Sequence, residues 1–468
     1  MPLSILTKAE IEAIHQATLR ILGEIGIVLT HPTAREVLVG TGAAVRGERV
    51  LLPPDLVGRA LALCPHQVPT CGRGGQTAIL GDGSLHWHNL GGAPTVYEPH
   101  SGRRRPATVQ DVRDAARLLD ALTSATTVTP FFTPQDVPGA VMSLAMLRHT
   151  IPCTTKPLHG PGLQTAAEVR FAARMAAVVG PPAEVLTLSV SPVSPLGFPD
   201  DVVGAIMETA RLGIPLSPLP CPTAGATAPL SLAGALAQQN AEVLASVVLA
   251  ELVHPGLPIT YCGRLAMMEP RSGSSVWGGV ELGLASAATV QIAHRYGLPV
   301  NVYGLSTNSY TLDIQSGYER ALNAVVPALA GADELSGIGE SGAGVISSYA
   351  QMVLDDEIAA GVRRIVRGFA VDEQSLAVEV VAAAMDGPRN FLGQRHTVRT
   401  LRAGELLLTR LAERRSWDEW ERSGRQGAAE RAQTEAERLL AEHQVPPLGE
   451  DQERELDEIM REAERTHG

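Results

Sequence analysis

The sequence points to an α/β chain folded as a (β/α)8 TIM barrel, preceded by an N-terminal helical extension and followed by a C-terminal helical tail. Apolar, β-prone runs of five to eight residues alternate with amphipathic helical stretches from about residue 93 to residue 370, and each reaches a count of eight. Three helix-to-strand junctions repeat one pattern, Gly213-Ile214-Pro215, Gly256-Leu257-Pro258 and Gly297-Leu298-Pro299. Glycine can end a helix in the left-handed conformation, and proline suits the first position of a strand. Strict alternation implies parallel strands, because parallel neighbours need a crossover helix. Eight such units over roughly 270 residues match the size of a (β/α)8 barrel. A doubly wound open sheet shares this alternation, since periodicity alone does not prove closure.

The expected division is 1–92 as a helical and hairpin extension, 93–370 as the barrel and 371–468 as the tail. In the first part, residues 8–22 carry apolar residues at helical spacing, 32–40 give a shorter helix, and Pro53-Pro54 open a third. Residues 76–88 read as a hairpin turning at Gly81-Asp82-Gly83. Candidate strands follow at 93–97, 126–132, 152–158, 186–191, 214–219, 258–263, 298–305 and 333–338. Candidate helices start near Thr108, Pro138, Leu163, Pro199, Leu230, Gly278, Leu312 and Ser347. Beyond Glu413 the tail is dense in charges of both signs and broken once, at 444–451, as expected of a solvated helical arm packed on the barrel or on a neighbouring subunit.

The net charge of -12 disfavours nucleic acid and anionic membrane surfaces and suits a cytoplasmic enzyme or one that attracts cations. Cys64, Cys71, Cys153, Cys221 and Cys262 are scattered and odd in number, which argues against a disulfide framework and a thiolate zinc site. The N-terminal helix carries acidic residues, unlike a signal peptide, and the apolar stretch 241–253 is too short to span a bilayer.

Active sites of such barrels lie at the C-terminal ends of the strands, here the loops 98–107, 133–137, 159–162, 192–198, 220–229, 264–277, 306–311 and 339–346. His86-Trp87-His88 could offer two metal ligands, but strands five and six end in Cys221 and Cys262 with no histidine, so no metal is expected and an exposed hairpin edge is the preferred reading. Lys156 could form a Schiff base; a lysine paired to a buried carboxylate is preferred. Gly337-Ile338-Gly339-Glu340-Ser341-Gly342 matches a dinucleotide-loop pattern, yet Glu340 would face the phosphate, so a loop bringing backbone close to a ligand fits better. The loop after strand seven gathers Tyr303, Asn308, Tyr310, Asp313, Gln315, Tyr318 and Glu319, with Asp313 a natural helix cap. The long loop after strand six carries Glu269, Arg271 and Trp277. Only 4% of the chain is aromatic, so Trp277, Tyr303 and Tyr310 near carboxylates suggest a pocket for a quaternary ammonium.

Segments 13–27, 101–122, 154–158, 225–261, 312–332, 352–358, 391–402 and 446–459 resemble, in order and spacing, the trimethylamine methyltransferase-like family over nearly the whole chain. The resemblance implies a (β/α)8 barrel that passes a methyl group from a methylated amine to the Co(I) corrinoid of a partner protein. It implies no cofactor bound directly, the corrinoid (cobalamin) being carried by that partner. Founding members carry pyrrolysine in a segment placed here around 303–309, where this chain has ordinary residues. That places it near the non-pyrrolysine branch, which is glycine betaine methyltransferase-like. Val280 before Glu281, and Glu269-Pro270-Arg271, depart from the family pattern. A quaternary ammonium already carries its charge, so the tertiary amine leaves unprotonated and no protein acid, base or nucleophile is demanded. No catalytic residue is therefore assigned. Trp277, Tyr303 and Tyr310 would face the cation, Glu340 and Asp313 would balance it, and His159 or Arg271 would hold a substrate carboxylate. A homo-oligomer is expected. The alternatives are a Lys156 lyase or aldolase, and a non-catalytic binder of quaternary amines.

Overall fold

A computed structural model describes residues 3–387 and 389–467 and shows an α/β fold. The first helix, Lys8–Arg20, starts at Thr7, whose side chain exchanges capping bonds with Glu10. Pro32–Gly40 and Pro54–Leu61 follow as expected, each with proline in its first turn. A small sheet joins Ala44–Arg46, Arg49–Leu51 and Ile27–Leu29 to Gly197–Phe198, tying this extension to the body of the chain.

Parallel pairing runs through eight stretches. His86–Asn89 touches Thr127 through one bridge, and Val128 bridges to Leu158. Leu158–His159, Leu186–Val190 and Leu216–Pro218 then pair in turn. Leu216 bridges to Ile259, just before Tyr261–Gly263, which pairs with Val300–Tyr303. Glu334–Ile338 pairs with Val300–Tyr303 and also with His86–Asn89, where the series began. The helices Val109–Ala121, Met142–Thr150, Ala166–Ala177, Asp200–Arg211, Leu232–Val253, Val280–Arg295, Ile314–Ala330 and Tyr349–Arg367 come between or after them. Every residue of the five strands 86–89, 216–218, 261–263, 300–303 and 334–338 is buried, as parallel strands covered on both faces require.

Two expectations are corrected. The first parallel strand is 86–89, not 93–97. Thr95–Glu98 instead forms an antiparallel hairpin with Arg103–Pro106 and leans on Ile346–Ser347. The 76–88 hairpin does not form either. Thr77–Leu80 pairs back with Val68–Cys71, and His86-Trp87-His88 is buried rather than an exposed edge. The polar composition of His86, His88 and Asn89 hid an inner strand, in which His88 and Asn89 find hydrogen-bond partners inside the protein. Pro130 interrupts the 126–132 run, which pairs only through bridges because proline offers no N–H.

The helix Leu232–Val253 is 22 residues, longer than the apolar stretch alone suggested. It is long and apolar enough to cross a membrane by length and composition, yet almost all of it is wrapped in protein. The tail folds back on the body. Arg148 pairs with Glu453 and Asp457, and Arg174 with Glu462, anchoring Glu450–His467.

Candidate active site

The C-terminal ends of seven of the eight parallel stretches open into a cavity of about 420 Å³. His88, Thr129, His159, Ser189, Cys221, Arg264, Asn301 and Tyr303 come from the strands or the residues directly after them, and Trp277 from the loop after 261–263. Gly91, Gly92, Gly160 and Gly162 line another part of the wall, leaving room beside the larger groups.

A closed hydrogen-bond network forms the floor. Glu334 is fully buried, accepts from Thr127 Oγ1 at 2.9 Å and from Asn301 Nδ2, and lies 3.4 Å from His159 Nε2. Burial opposes its charge, but the neighbouring histidines His88 and His159 and these hydrogen bonds outweigh that and hold it well below the usual carboxylate range. His88 stacks on His159 at 4.9 Å and contacts Asn301 Nδ2 through Nε2 at 2.9 Å. Burial pulls its pKa down to about 4, so His88 is neutral at pH 7.

Trp277 and Tyr303 form the aromatic wall, with ring centroids 4.8 Å apart, and pack with Leu90, Ala266 and Leu282. The polar loop after 300–303 fixes Trp277 from behind. Glu319 accepts from Thr307 Oγ1, Asn308 N–H and Gln315. The Asn308 Oδ1 in turn accepts from the Trp277 and Gly278 amides, each at 2.7 Å. A Cβ on Gly278 would sit 2.0 Å from the Glu319 carboxylate, so glycine lets the two approach. A guanidinium–carboxylate pair holds the next loop. Arg320 pairs with Asp355 at 2.9 Å, both fully buried, and binds the Leu305 and Glu340 carbonyls and Ser341 Oγ. Glu340 lies one layer behind the rings: its Oε1 accepts from Gly344 N–H, and Gly344 packs on Trp277. Its Oε2 is buried without a partner. Burial pushes Glu340 up to about 8, against the pull of Arg320, and Asp355 up to about 6.

Of the residues singled out from sequence, Trp277, Tyr303 and His159 meet at the cavity and Glu340 stands behind them. Three do not reach it. Arg271 is exposed on a turn, paired with Glu269 at 2.7 Å. Asp313 caps the helix 314–330 through Ser316 N–H. Tyr310 is 61% exposed and rests on Gly342. The glycines of 337–342 approach protein rather than a ligand: Gly339 packs on Phe131 and Met352, and its N–H donates to Asp355. Among the described residues Lys156 forms no ion pair with a carboxylate; its Nζ donates to the carbonyls of Leu119 and Leu122 near the end of the helix 109–121, outside the cavity. Burial lowers its pKa to about 8. Arg264 and Asn301 were missed, and His88 was weighed only as a metal ligand and set aside as an exposed edge. Their signal was position alone, on or directly after the strands 86–89, 261–263 and 300–303.

A family model described as trimethylamine methyltransferase (MTTB) matches residues 1–467. The chain is 32% identical to a glycine betaine methyltransferase of Desulfitobacterium hafniense (strain Y51), over 95% of this chain and 93% of that protein. It is 29% identical to a trimethylamine methyltransferase of Desulfitobacterium hafniense (strain DSM 10664 / DCB-2), over 98% and 94%. The crystal structure of the monomethylamine methyltransferase of Methanosarcina barkeri superimposes with a TM-score of 0.55 at 12% identity, covering 98% of this chain and 88% of that one. That last likeness concerns the fold alone.

Proposed function

The chain belongs to the trimethylamine methyltransferase family, and from that premise we propose that it moves a methyl group from a quaternary amine in the Trp277 cavity to a corrinoid carried by a separate protein. The supporting observation is the aromatic wall of Trp277 and Tyr303 backed by the buried Glu340. Ring faces attract a cation that has been stripped of water, and Glu340, neutral until a cation ionises it, adds to that pull once charged. The segment 303–309 consists of ordinary residues, which suits a donor whose nitrogen is already charged. The parallel pairings that return to His86–Asn89 support reading the core as a closed (β/α)8 barrel, with the cavity at its C-terminal face.

A docked corrinoid supplies a Co(I) nucleophile. The chain's own residues hold the amine, exclude water and align one methyl with the open side of the cavity, where proximity and orientation account for rate. Among cavity residues, burial pushes the Cys262 thiol up to about 11 and His88 is neutral, which suits a methyl acceptor supplied from outside. The cytoplasm is the compartment in which such a carrier and free thiols fit together.

The test incubates the protein with a Co(I) corrinoid carrier protein and a panel of betaines, carnitine and methylamines, following absorbance. Methylation with a quaternary amine and none with trimethylamine is the expected result. No spectral change with any donor overturns the reading. Tight binding of quaternary amines without methyl transfer would identify a non-catalytic binder instead. The Schiff-base alternative is not favoured, because Lys156 lies outside the cavity with both carbonyl bonds made.

A further inference from the structure

We propose that Arg264 is the seat of a substrate carboxylate, so that the cavity selects a zwitterion, a quaternary ammonium joined to an acid, over a plain methylated amine. This rests on the reading of the cavity as the amine site and goes further by naming the second charge. Arg264 follows the strand 261–263, is 2% exposed and lines the cavity. Its Nη1 donates to the carbonyls of Gly263 at 3.2 Å and Asn301 at 3.1 Å, and its Nη2 to Asn301 Oδ1. The edge between the two terminal nitrogens therefore faces Asn301. The other edge, formed by Nε and Nη2, remains, and Nε is buried without a hydrogen-bond partner.

A guanidinium edge with two parallel N–H groups matches a carboxylate. Among the described residues no carboxylate forms an ion pair with Arg264. Glu334 is linked to it only through the Asn301 amide, and its own oxygens are engaged by Thr127, Asn301 and His159. A buried cation with unused donors is costly unless a ligand completes it.

The placement also orients the ligand. The guanidinium carbon lies 4.9 Å from the Tyr303 ring centroid, and that ring lies 4.8 Å from Trp277. Arg264 thus occupies a face of Tyr303 and repels a cation there, which leaves Trp277 as the ring for the ammonium. A zwitterion satisfies both ends, with its acid on Arg264 and its methylated nitrogen at Trp277. A plain methylammonium meets Trp277 but leaves Arg264 unmatched.

Calorimetry on the full chain tests this with glycine betaine and 4-trimethylammoniobutyrate against choline and tetramethylammonium. The carboxylates should bind roughly ten- to hundredfold tighter than the other two. Arg264→Gln should erase that gap by weakening the carboxylates while choline keeps its affinity, and Arg264→Lys should restore part of it. Should Arg264→Gln not fold, the ligand series on the unaltered protein decides alone. Equal binding of choline and the carboxylates, a gap that survives in Arg264→Gln, or no binding of any zwitterion overturns the inference. A gap without methyl transfer to the corrinoid removes the proposed reaction and leaves the Arg264 subsite standing. Methyl transfer without a gap does the reverse.

Discussion

Glu334 and Glu340 sit six positions apart, both fully buried, and they carry opposite charge states. Glu334 is met by Thr127, Asn301 and two histidines, and stays ionised far below neutrality. Glu340 accepts from the Gly344 N–H, is helped further only by the Thr307 backbone and the more distant Arg320, has Oε2 without a hydrogen-bond partner, and is pushed up to about 8 by burial. Burial is the same; the number of donors differs. Glu334 is therefore a fixed charge that holds the floor together, whereas Glu340 is a neutral acid at pH 7 that a cation nearby can ionise.

Replacing each glutamate by glutamine is the strongest way to break this contrast. Glu334→Gln should lose about 3 kcal/mol of stability, because it removes the ion and places an amide N–H2 against groups that donate. Glu340→Gln should lose none of it at pH 7 and gain up to about 3 kcal/mol, because an unfolded glutamate ionises there while the folded one stays neutral, a penalty glutamine does not carry. Urea unfolding at pH 7 measures both, and equal losses in the two variants would abolish the distinction. The contrast should also depend on pH. Between the ordinary glutamate value of 4.5 and about 8, folded Glu340 keeps a proton that an unfolded glutamate has lost. The stability lent by that proton is complete below pH 4.5 and lost as pH rises through 8. Glu340→Gln should flatten this part of the pH profile.

The difference between the two sites also explains what could be read from sequence. Helix starts at Thr108, Pro199 and Ser348 were legible, within a residue for the last, because capping residues and proline act locally. Seven of the eight expected strands overlap the eight parallel stretches that run from 86–89 to 334–338, because buried parallel strands read as apolar runs. The strand 86–89 was not legible, since the His88 and Asn89 side chains are satisfied by Thr129 and Asn301, distant in sequence. Trp277 and Tyr303 were legible as rare aromatics in loops expected at one end. Arg264 was not, because nothing local distinguishes an arginine that lacks a carboxylate from one that has it. Arg271, with Glu269 two residues away, was the more visible candidate and is a surface pair.

Trp277→Ala sharpens the comparison at the ligand. Affinity for tetramethylammonium should fall about tenfold, in line with about 1–2 kcal/mol for a desolvated cation on a ring, while the urea midpoint moves little. Unchanged affinity by calorimetry would remove Trp277 from the cation site. In the native chain the same affinity should rise between pH 7 and 9 as Glu340 ionises, because tetramethylammonium keeps its charge throughout. That rise should vanish in Glu340→Gln. A slope retained in the variant would assign the titration to another group.

The smallest expected effect comes from Gly344, which joins the two halves of the proposed cation site. Its N–H donates to Glu340 Oε1, and its α-carbon backs the Trp277 indole. The backbone there has φ +84, and an added Cβ would lie 3.0 Å from the ring. Gly344→Ala should therefore cost about 1 kcal/mol for the left-handed conformation and push the indole by a few tenths of an ångström. Since Glu340 keeps its N–H partner, the pH at which cation affinity rises should stay where it is, while affinity at every pH falls a few fold. A shift of that pH with unchanged affinity would mean that the methyl group acts on the carboxyl rather than on the ring, and that the Gly344 amide is what sets the charge state of Glu340.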